Sequence, residues 1–438
     1  MSHMLLISLL SFACLATHLA IQRNPGHPGV VHGAIWLLTS LGYVAFEAAL
    51  DVVSAKTIVA LMIGILAFSI GTHLGGGFKG SAYARPELGR RFPYFPFVIV
   101  LVSALGFAMM WIKALEYVPF NPETPWRVWY ASLRSAAINQ GKGSFGPAGY
   151  VLNFCFAGAV YLVLYSRRER HTPWLWLCIA IALGFSLLAT GRTYILLLGC
   201  LIVGAAMPQR WRARVAILLL APLLIVGVTW LSGRLELPSS STFRSFFEAR
   251  EKVESTVPVR GVEGDLANFN LPSSHTFRSS PGLQAKMYSI APLGAFDYLV
   301  NSNLPQTFGN MTFRTPLAVL RAVGIPVEVP DLIQPYALSR VPVNVYTVFG
   351  PYYRDFGLIG VGFFMLLLGS LHGWVFRQIK TGSPMIIVGN ALLFYALLMQ
   401  FFQDQYFSLM SQWIQILGWT YIFNKLQPLP GVLGRSRP

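Results

Sequence analysis

Phe95-Pro-Phe-Val-Ile-Val-Leu-Val-Ser-Ala-Leu-Gly-Phe-Ala-Met-Met-Trp-Ile112 decides the fold, because these eighteen residues carry no charge. As a helix rising about 1.5 Å per residue, the stretch covers about 27 Å, close to the roughly 30 Å hydrocarbon core of a bilayer. Runs of this kind recur along most of the chain. Hydrophobic residues make up 54% of it and charged residues only 11%, against about 25% charged in a soluble domain. A water-soluble fold is excluded. In lipid the backbone must satisfy its own hydrogen bonds, which leaves helices for these runs.

The pattern predicts eleven spans, at 4–21, 30–50, 56–75, 94–114, 149–166, 174–190, 193–208, 214–232, 355–376, 384–402 and 406–424. The first run, Met4 to Ile21, lacks the basic leader and small-residue cleavage site of a secretory signal and reads as a membrane helix. Cys14, Cys155, Cys178 and Cys200 all fall within apolar runs with no CxxC spacing, so neither a disulfide framework nor structural zinc is expected.

A net charge of +16 suits nucleic acid in principle, but the placement of the basic residues argues against it. They gather in short loops between spans: Arg85, Arg90 and Arg91; Arg167, Arg168 and Arg170; Arg210, Arg212 and Arg214; and Arg377, Lys380, Lys425, Arg435 and Arg437 towards the end. This is the positive-inside signature of a multi-pass membrane protein. It places the N-terminus outside and the C-terminus in the cytoplasm. Three regions follow: 1–232 with eight spans and an outer loop at 115–148, a large outer loop at 233–354 expected to be helical, and 355–438 with three spans and a tail.

Between Arg234 and Arg340 the large loop holds ten Lys or Arg and nine Asp or Glu, so its arginines stand singly rather than as bulk charge. A repeat lies inside it. Leu237-Pro-Ser-Ser-Ser-Thr-Phe-Arg-Ser245 matches Leu271-Pro-Ser-Ser-His-Thr-Phe-Arg-Ser279 at eight of nine positions. It reads either as a local duplication or as two Arg-bearing turns beside one outer cavity.

Several residues have the chemistry for a site. Thr190-Gly191-Arg192-Thr193 joins two apolar runs with no room for a loop, which forces Arg192 to the membrane boundary. There it either snorkels to lipid phosphate or offers a planar fork to a diphosphate. His275 is the only histidine in either outer segment, and its ordinary pKa of about 6.5 suits proton transfer. Asp355 beside Arg354 reads as a base or as that arginine's ion-pair partner, Asp404 as a helix cap in a short outer turn, and His372 as a packing residue. No DxD sequence, paired carboxylate spacing or phosphate-cradling glycine loop followed by Lys is present, so no metal or cofactor is expected.

The stretch Val343-Asn-Val-Tyr-Thr-Val-Phe-Gly-Pro-Tyr-Tyr-Arg-Asp-Phe-Gly-Leu-Ile-Gly360 resembles the segment that leads from the outer loop into a late span in oligosaccharide repeat-unit polymerases, the O-antigen polymerase (Wzy) family. Tyr288-Ser289, Pro292, Phe296, Phe308-Gly309 and Thr312-Phe313 are similar to the family's upstream loop pattern, and Gly191-Arg192 to its short Arg-bearing turn. The resemblance covers the last 60% or so of the chain, while the first 170 residues share only their hydrophobic spans. It implies an all-α, GT-C-like glycosyltransferase of the bacterial inner membrane. Its partners would be undecaprenyl-diphosphate-linked oligosaccharides on the periplasmic side, the lipid bilayer and a chain-length regulator.

On matching positions the resemblance makes Arg192, Asn344, Tyr353 and Asp355 site residues. Chemistry adds His275 and Arg278. Charge develops on the departing diphosphate in such a reaction, where preorganised donors are worth several kcal/mol. Arg192 with Arg278, Arg314 or Arg340 is the expected clamp, His275 or Asp355 the base, and Arg354 a further substrate contact. Trp126, Trp129, Tyr130, Tyr288, Tyr352 and Tyr353 offer faces for sugar rings or, for the tryptophans, interfacial anchors. Two rivals share these features, an O-antigen ligase and a flippase or transporter for the same lipid-linked sugar. The transporter predicts paired, interrupted helices.

Overall fold

A computed structural model describes residues 3–22, 24–45, 52–77, 94–139, 147–165, 172–189, 192–206, 281–302, 304–330, 334, 337 and 343–426. Within these the chain is helical and contains no strand. Its helices are α1 (His3–Gln22), α2 (Pro28–Ala45), α3 (Ala55–Gly76), α4 (Phe95–Tyr117), α5 (Trp126–Asn139), α6 (Pro147–Tyr165), α7 (Thr172–Leu188), α8 (Arg192–Ala206), α9 (Pro281–Asn301), α10 (Arg314–Ala322), α11 (Phe349–Gln378), α12 (Pro384–Leu398) and α13 (Met410–Lys425).

Among the described residues, five helical segments are long and apolar enough to cross a membrane: α1, α2, α3, α4 and Phe349–Thr381. Shorter apolar helices run over Gly149–Leu164, Pro173–Leu188, Thr193–Ala205 and Pro384–Leu398. The protein is thus an all-α membrane protein. The predicted span at 214–232 lies outside the described residues.

Two cores form. One gathers α4, α6, α7, α8, α12 and α13 around Phe156, Phe185, Leu197, Tyr395 and Ile416. The other gathers α1, α2, α3, α9, α11 and α12 around Trp36, Phe68, Phe296, Phe349 and Met365. Cys200 and Trp413 pack against both, so α12 and the chain that follows it form the seam.

The tightest contact is between α3 and α11, which run parallel. Gly369 lies on the Phe68 carbonyl and Gly373 on that of Thr72, while Gly71 and Gly75 lie on the α11 backbone at Leu366 and Ser370. A Cβ at any of the four would overlap backbone, so glycine is what lets the two helices touch.

Two of the predicted boundaries change. The first is the start of the span predicted at 355–376, which is preceded by a half-helix. Gly357, at φ 62° and ψ −150°, interrupts α11 in a conformation essentially reserved for glycine. Tyr352 and Phe364 would lie about 18 Å apart along a straight helix, yet their rings stack at 4.9 Å. The chain therefore folds back at Gly357, and residues 349–356 form a half-helix laid against the span 358–378. Phe349, where it starts, sits over Gly64, nine residues or about 13 Å into α3. The half-helix begins level with the middle of α3.

The second is the spans predicted at 384–402 and 406–424, which are separated by more than a short turn. α12 stops at Leu398 and α13 begins at Met410. At about 22 Å, α12 is shorter than the hydrocarbon core, and Gln400, Asp404 and Gln405 beyond its end are all buried. Two predicted loops also contain helices: α5 lies within 115–148, and α9 and α10 within 233–354. α9 docks on the bundle through Ile290, Leu293, Phe296 and Val300. Its end grips the start of α3, with Ser54 N donating to Asp297 Oδ1 at 2.8 Å and Lys56 Nζ to the Val300 carbonyl at 2.9 Å.

Candidate functional site

Two unwound segments, 343–348 and 399–409, meet at the seam. Val348 N donates to the Gln400 carbonyl at 2.8 Å and Thr347 N to that of Phe402 at 3.1 Å. Thr347 and Gln403 form an isolated parallel bridge. Irregular backbone survives at this depth only where protein or a polar cavity covers it, and these bonds supply part of that cover. Thr347 has φ 57°, a rare value for a β-branched residue, and its hydroxyl accepts from Phe349 N at 3.3 Å.

Side chains of α2 and α11 converge on the second segment. Gln400 Oε1 meets His32 Nδ1 at 2.7 Å and accepts from Trp36 Nε1 at 3.3 Å, while Gln400 Nε2 donates to the Tyr406 hydroxyl at 3.0 Å. An amide oxygen only accepts, so His32 carries its proton on Nδ1. Tyr406 in turn contacts His372 Nε2 at 2.9 Å. Asp404 accepts from Tyr352 Oη at 2.9 Å, Tyr406 N at 3.0 Å, Phe407 N at 3.2 Å and Ser408 N at 3.3 Å. It ties the half-helix to the unwound chain and caps the turn before α13. Among the described residues, the buried polar atoms His32 Nε2, Gln405 Nε2 and Thr312 Oγ1 around these segments find no hydrogen-bond partner.

Below this network the rings of His18 and His73 stack at 4.4 Å, with His27 5.4 Å from His18. Of the chain's eight histidines, these three plus His32 and His372 share one bundle interior. Charge counting overlooks them, because neutral imidazoles and amides inside apolar runs carry no formal charge. Their signal in the sequence is the polar residue within a span. Among the described residues, no group of three His, Cys, Asp or Glu is arranged to hold a metal ion.

Asp355 is fully buried and accepts from the Thr307 hydroxyl, from Met311 N at 3.1 Å and from Thr312 N at 2.6 Å. Arg354 donates to the Pro305 carbonyl and accepts, through its own carbonyl, from Thr307 N at 3.2 Å. The two neighbours do not form the ion pair their adjacency suggests. Successive helix positions point about 100° apart, and each finds its partner in the chain at 304–313. Tyr353 Oη donates to Val300 O at 3.4 Å, and Lys56 Nζ lies 5.9 Å above the Tyr353 ring. Arg314 Nε donates to Pro330 O at 2.8 Å.

Arg354 and Asp355 thus hold the segment 304–313, Arg314 follows it and reaches Pro330, Tyr353 sits on the end of α9, and half-buried Asn344 lies on the unwound chain leading to the half-helix. Tyr352, with its ring stacked and its hydroxyl on Asp404, is not open to a sugar. Nor is Trp129, which is buried and donates to Val118 O at 2.8 Å, although Trp126 beside it is exposed. Arg192 opens α8 and Tyr288 lies on α9, with both side chains outside the described residues; His275, Arg278 and Arg340 lie wholly outside them. No family model, curated protein or solved structure matches this chain.

Proposed function

We propose that this chain is a bacterial inner-membrane glycosyltransferase of the O-antigen polymerase type, with eleven spans in a GT-C-like arrangement. It joins undecaprenyl-diphosphate-linked repeat units at the periplasmic face, its N-terminus outside and its C-terminus in the cytoplasm. The observation that carries this reading is the fold of the segment bearing the family resemblance. Residues 343–360 form a re-entrant element that enters the bundle, turns at Gly357 and holds Tyr353 on the Val300 carbonyl at the end of α9 and Arg354 on that of Pro305.

In the reaction, an acceptor hydroxyl attacks the donor's anomeric carbon with inversion, and undecaprenyl diphosphate leaves. Arg192 with Arg278, Arg314 or Arg340 steadies the charge on that diphosphate. His275 serves as the base in this reading, a choice over Asp355 supported by the three donors that engage the Asp355 carboxylate. Asn344, Tyr288, Tyr353 and Arg354 contact the sugars.

The test is elongation of a defined lipid-linked repeat unit by purified protein in detergent, read as a ladder on a gel. Arg192→Ala should abolish the ladder and Arg192→Lys restore only part of it. Absence of elongation by the wild-type protein with donor alone refutes the polymerase reading.

A transporter of the same lipid-linked sugar is the second reading, favoured by the paired interruptions at 343–348 and 399–409. Chain growth in detergent, where no two compartments exist, separates the two.

A further inference from the structure

The segment 304–327 leaves the end of the bundle marked by Gly357 and carries an unusual surface. Leu304, Phe308, Phe313, Val319, Leu320, Val323 and Ile325 are all exposed, Phe308 at 77% and Val323 at 68%. Seven large apolar side chains exposed within about two dozen residues are more than a stretch facing water ordinarily gathers. No residue of α10 is buried.

The helix is also two-sided. Val319 and Val323, four apart, share a face with Pro316 and Leu320. Arg314 and Arg321, seven apart, occupy the opposite face, and Arg321 is exposed.

Its anchorage fixes its depth. Asp355 holds Thr307, Met311 and Thr312, and the Phe313 ring lies 5.9 Å from that of Phe364. Just beyond Gly357, α11 presents Ile359, Phe363, Leu367, Leu371 and Trp374 outward at helical spacing, the first 84% exposed. On a helix long and apolar enough to span, that stripe faces lipid. The arm is continuous with the first turn of this stripe. It therefore emerges where hydrocarbon gives way to headgroups, the level at which an amphipathic helix is stable lying flat.

We propose that residues 304–327 form an interfacial arm embedded in the bilayer surface. Phe308, Val319, Leu320, Val323 and Ile325 lie among the acyl chains, and Arg321 faces lipid phosphates. The inference rests on the membrane character of the chain and not on the glycosyltransferase reading.

The test places an environment-sensitive fluorophore on single added cysteines, Val323→Cys and Phe308→Cys, with Glu328→Cys on the return chain as the aqueous reference. The full-length protein is held in nanodiscs of phosphatidylcholine with or without phosphatidylglycerol. Positions 323 and 308 should show blue-shifted emission that brominated lipids quench at least twofold more than position 328. Water-like emission at 323 and 308 overturns the proposal. So does a blue shift insensitive to brominated lipid, which would put a protein surface such as a second copy there. With phosphatidylglycerol present, Arg321→Glu should reduce quenching at 323; if it does not, the assignment of Arg321 to lipid phosphate fails.

Discussion

Replacing Asp355 with Asn separates an anchoring carboxylate from a catalytic one. The carboxylate takes the Thr307 hydroxyl and Met311 N on Oδ1 and Thr312 N on Oδ2. An asparagine oxygen can keep the first two donors, but its NH₂ then meets the Thr312 N–H, donor against donor. The loss is one hydrogen bond to a charged group, about 1.5–3 kcal/mol, plus an unsatisfied buried N–H, about 1–3 kcal/mol. A net cost of about 3–4 kcal/mol corresponds to a several-hundredfold rise in opening of the segment it holds. Because the arm can detach without global unfolding, the assay is amide exchange of peptides covering 304–313, followed in parallel with elongation activity. Faster exchange there, with bundle peptides unchanged and activity lost in proportion, is the expected result. Wild-type exchange with elongation down by about 100-fold or more, the scale of a lost general base, would refute the anchoring role.

Gly357→Ala forces an L-residue to φ 62° and ψ −150° and should cost about 1–3 kcal/mol, seen as a lower midpoint of thermal unfolding in detergent. Gly373→Ala places a methyl on the Thr72 carbonyl and should lower the same midpoint by the cost of overpacking, about 1–3 kcal/mol; an unchanged midpoint would mean α3 and α11 are not in backbone contact. Gln400→Leu strips partners from His32, Trp36 and Tyr406 together, so the variant should be less stable than Gln400→Glu, which keeps an acceptor, by about 1–3 kcal/mol. Arg354→Ala removes a contact with the Pro305 carbonyl, so increased proteolysis at 304–313 is expected even where the bundle stays folded.

Membrane residence and helical class were legible from the sequence, because each follows from local quantities. An apolar run long enough to cross a bilayer has only the helix open to it, and Phe95 to Ile112 says so unaided. The segment 343–360 also stood out from the plain apolar runs, through its density of aromatic, glycine and charged residues.

The conformation of that segment was not legible. Hydropathy cannot distinguish a straight helix through Phe349–Gln378 from one folded back at Gly357, since it sums the same residues in either case. Nor can it show that α12 stops short: Gln400 and Asp404 are tolerated at depth because His32, Trp36 and Tyr352, distant in sequence, satisfy much of their hydrogen bonding, with Tyr406 and Tyr395 adding local contacts to Gln400 and Gln405. Arg354 and Asp355 make the same point, adjacent in the chain and yet turned by the helix to separate partners at Pro305 and Thr307–Thr312. Local polarity settles which solvent a segment prefers. Which polar groups share a buried cavity depends on contacts between residues tens to hundreds of positions apart, and only the packed bundle creates those.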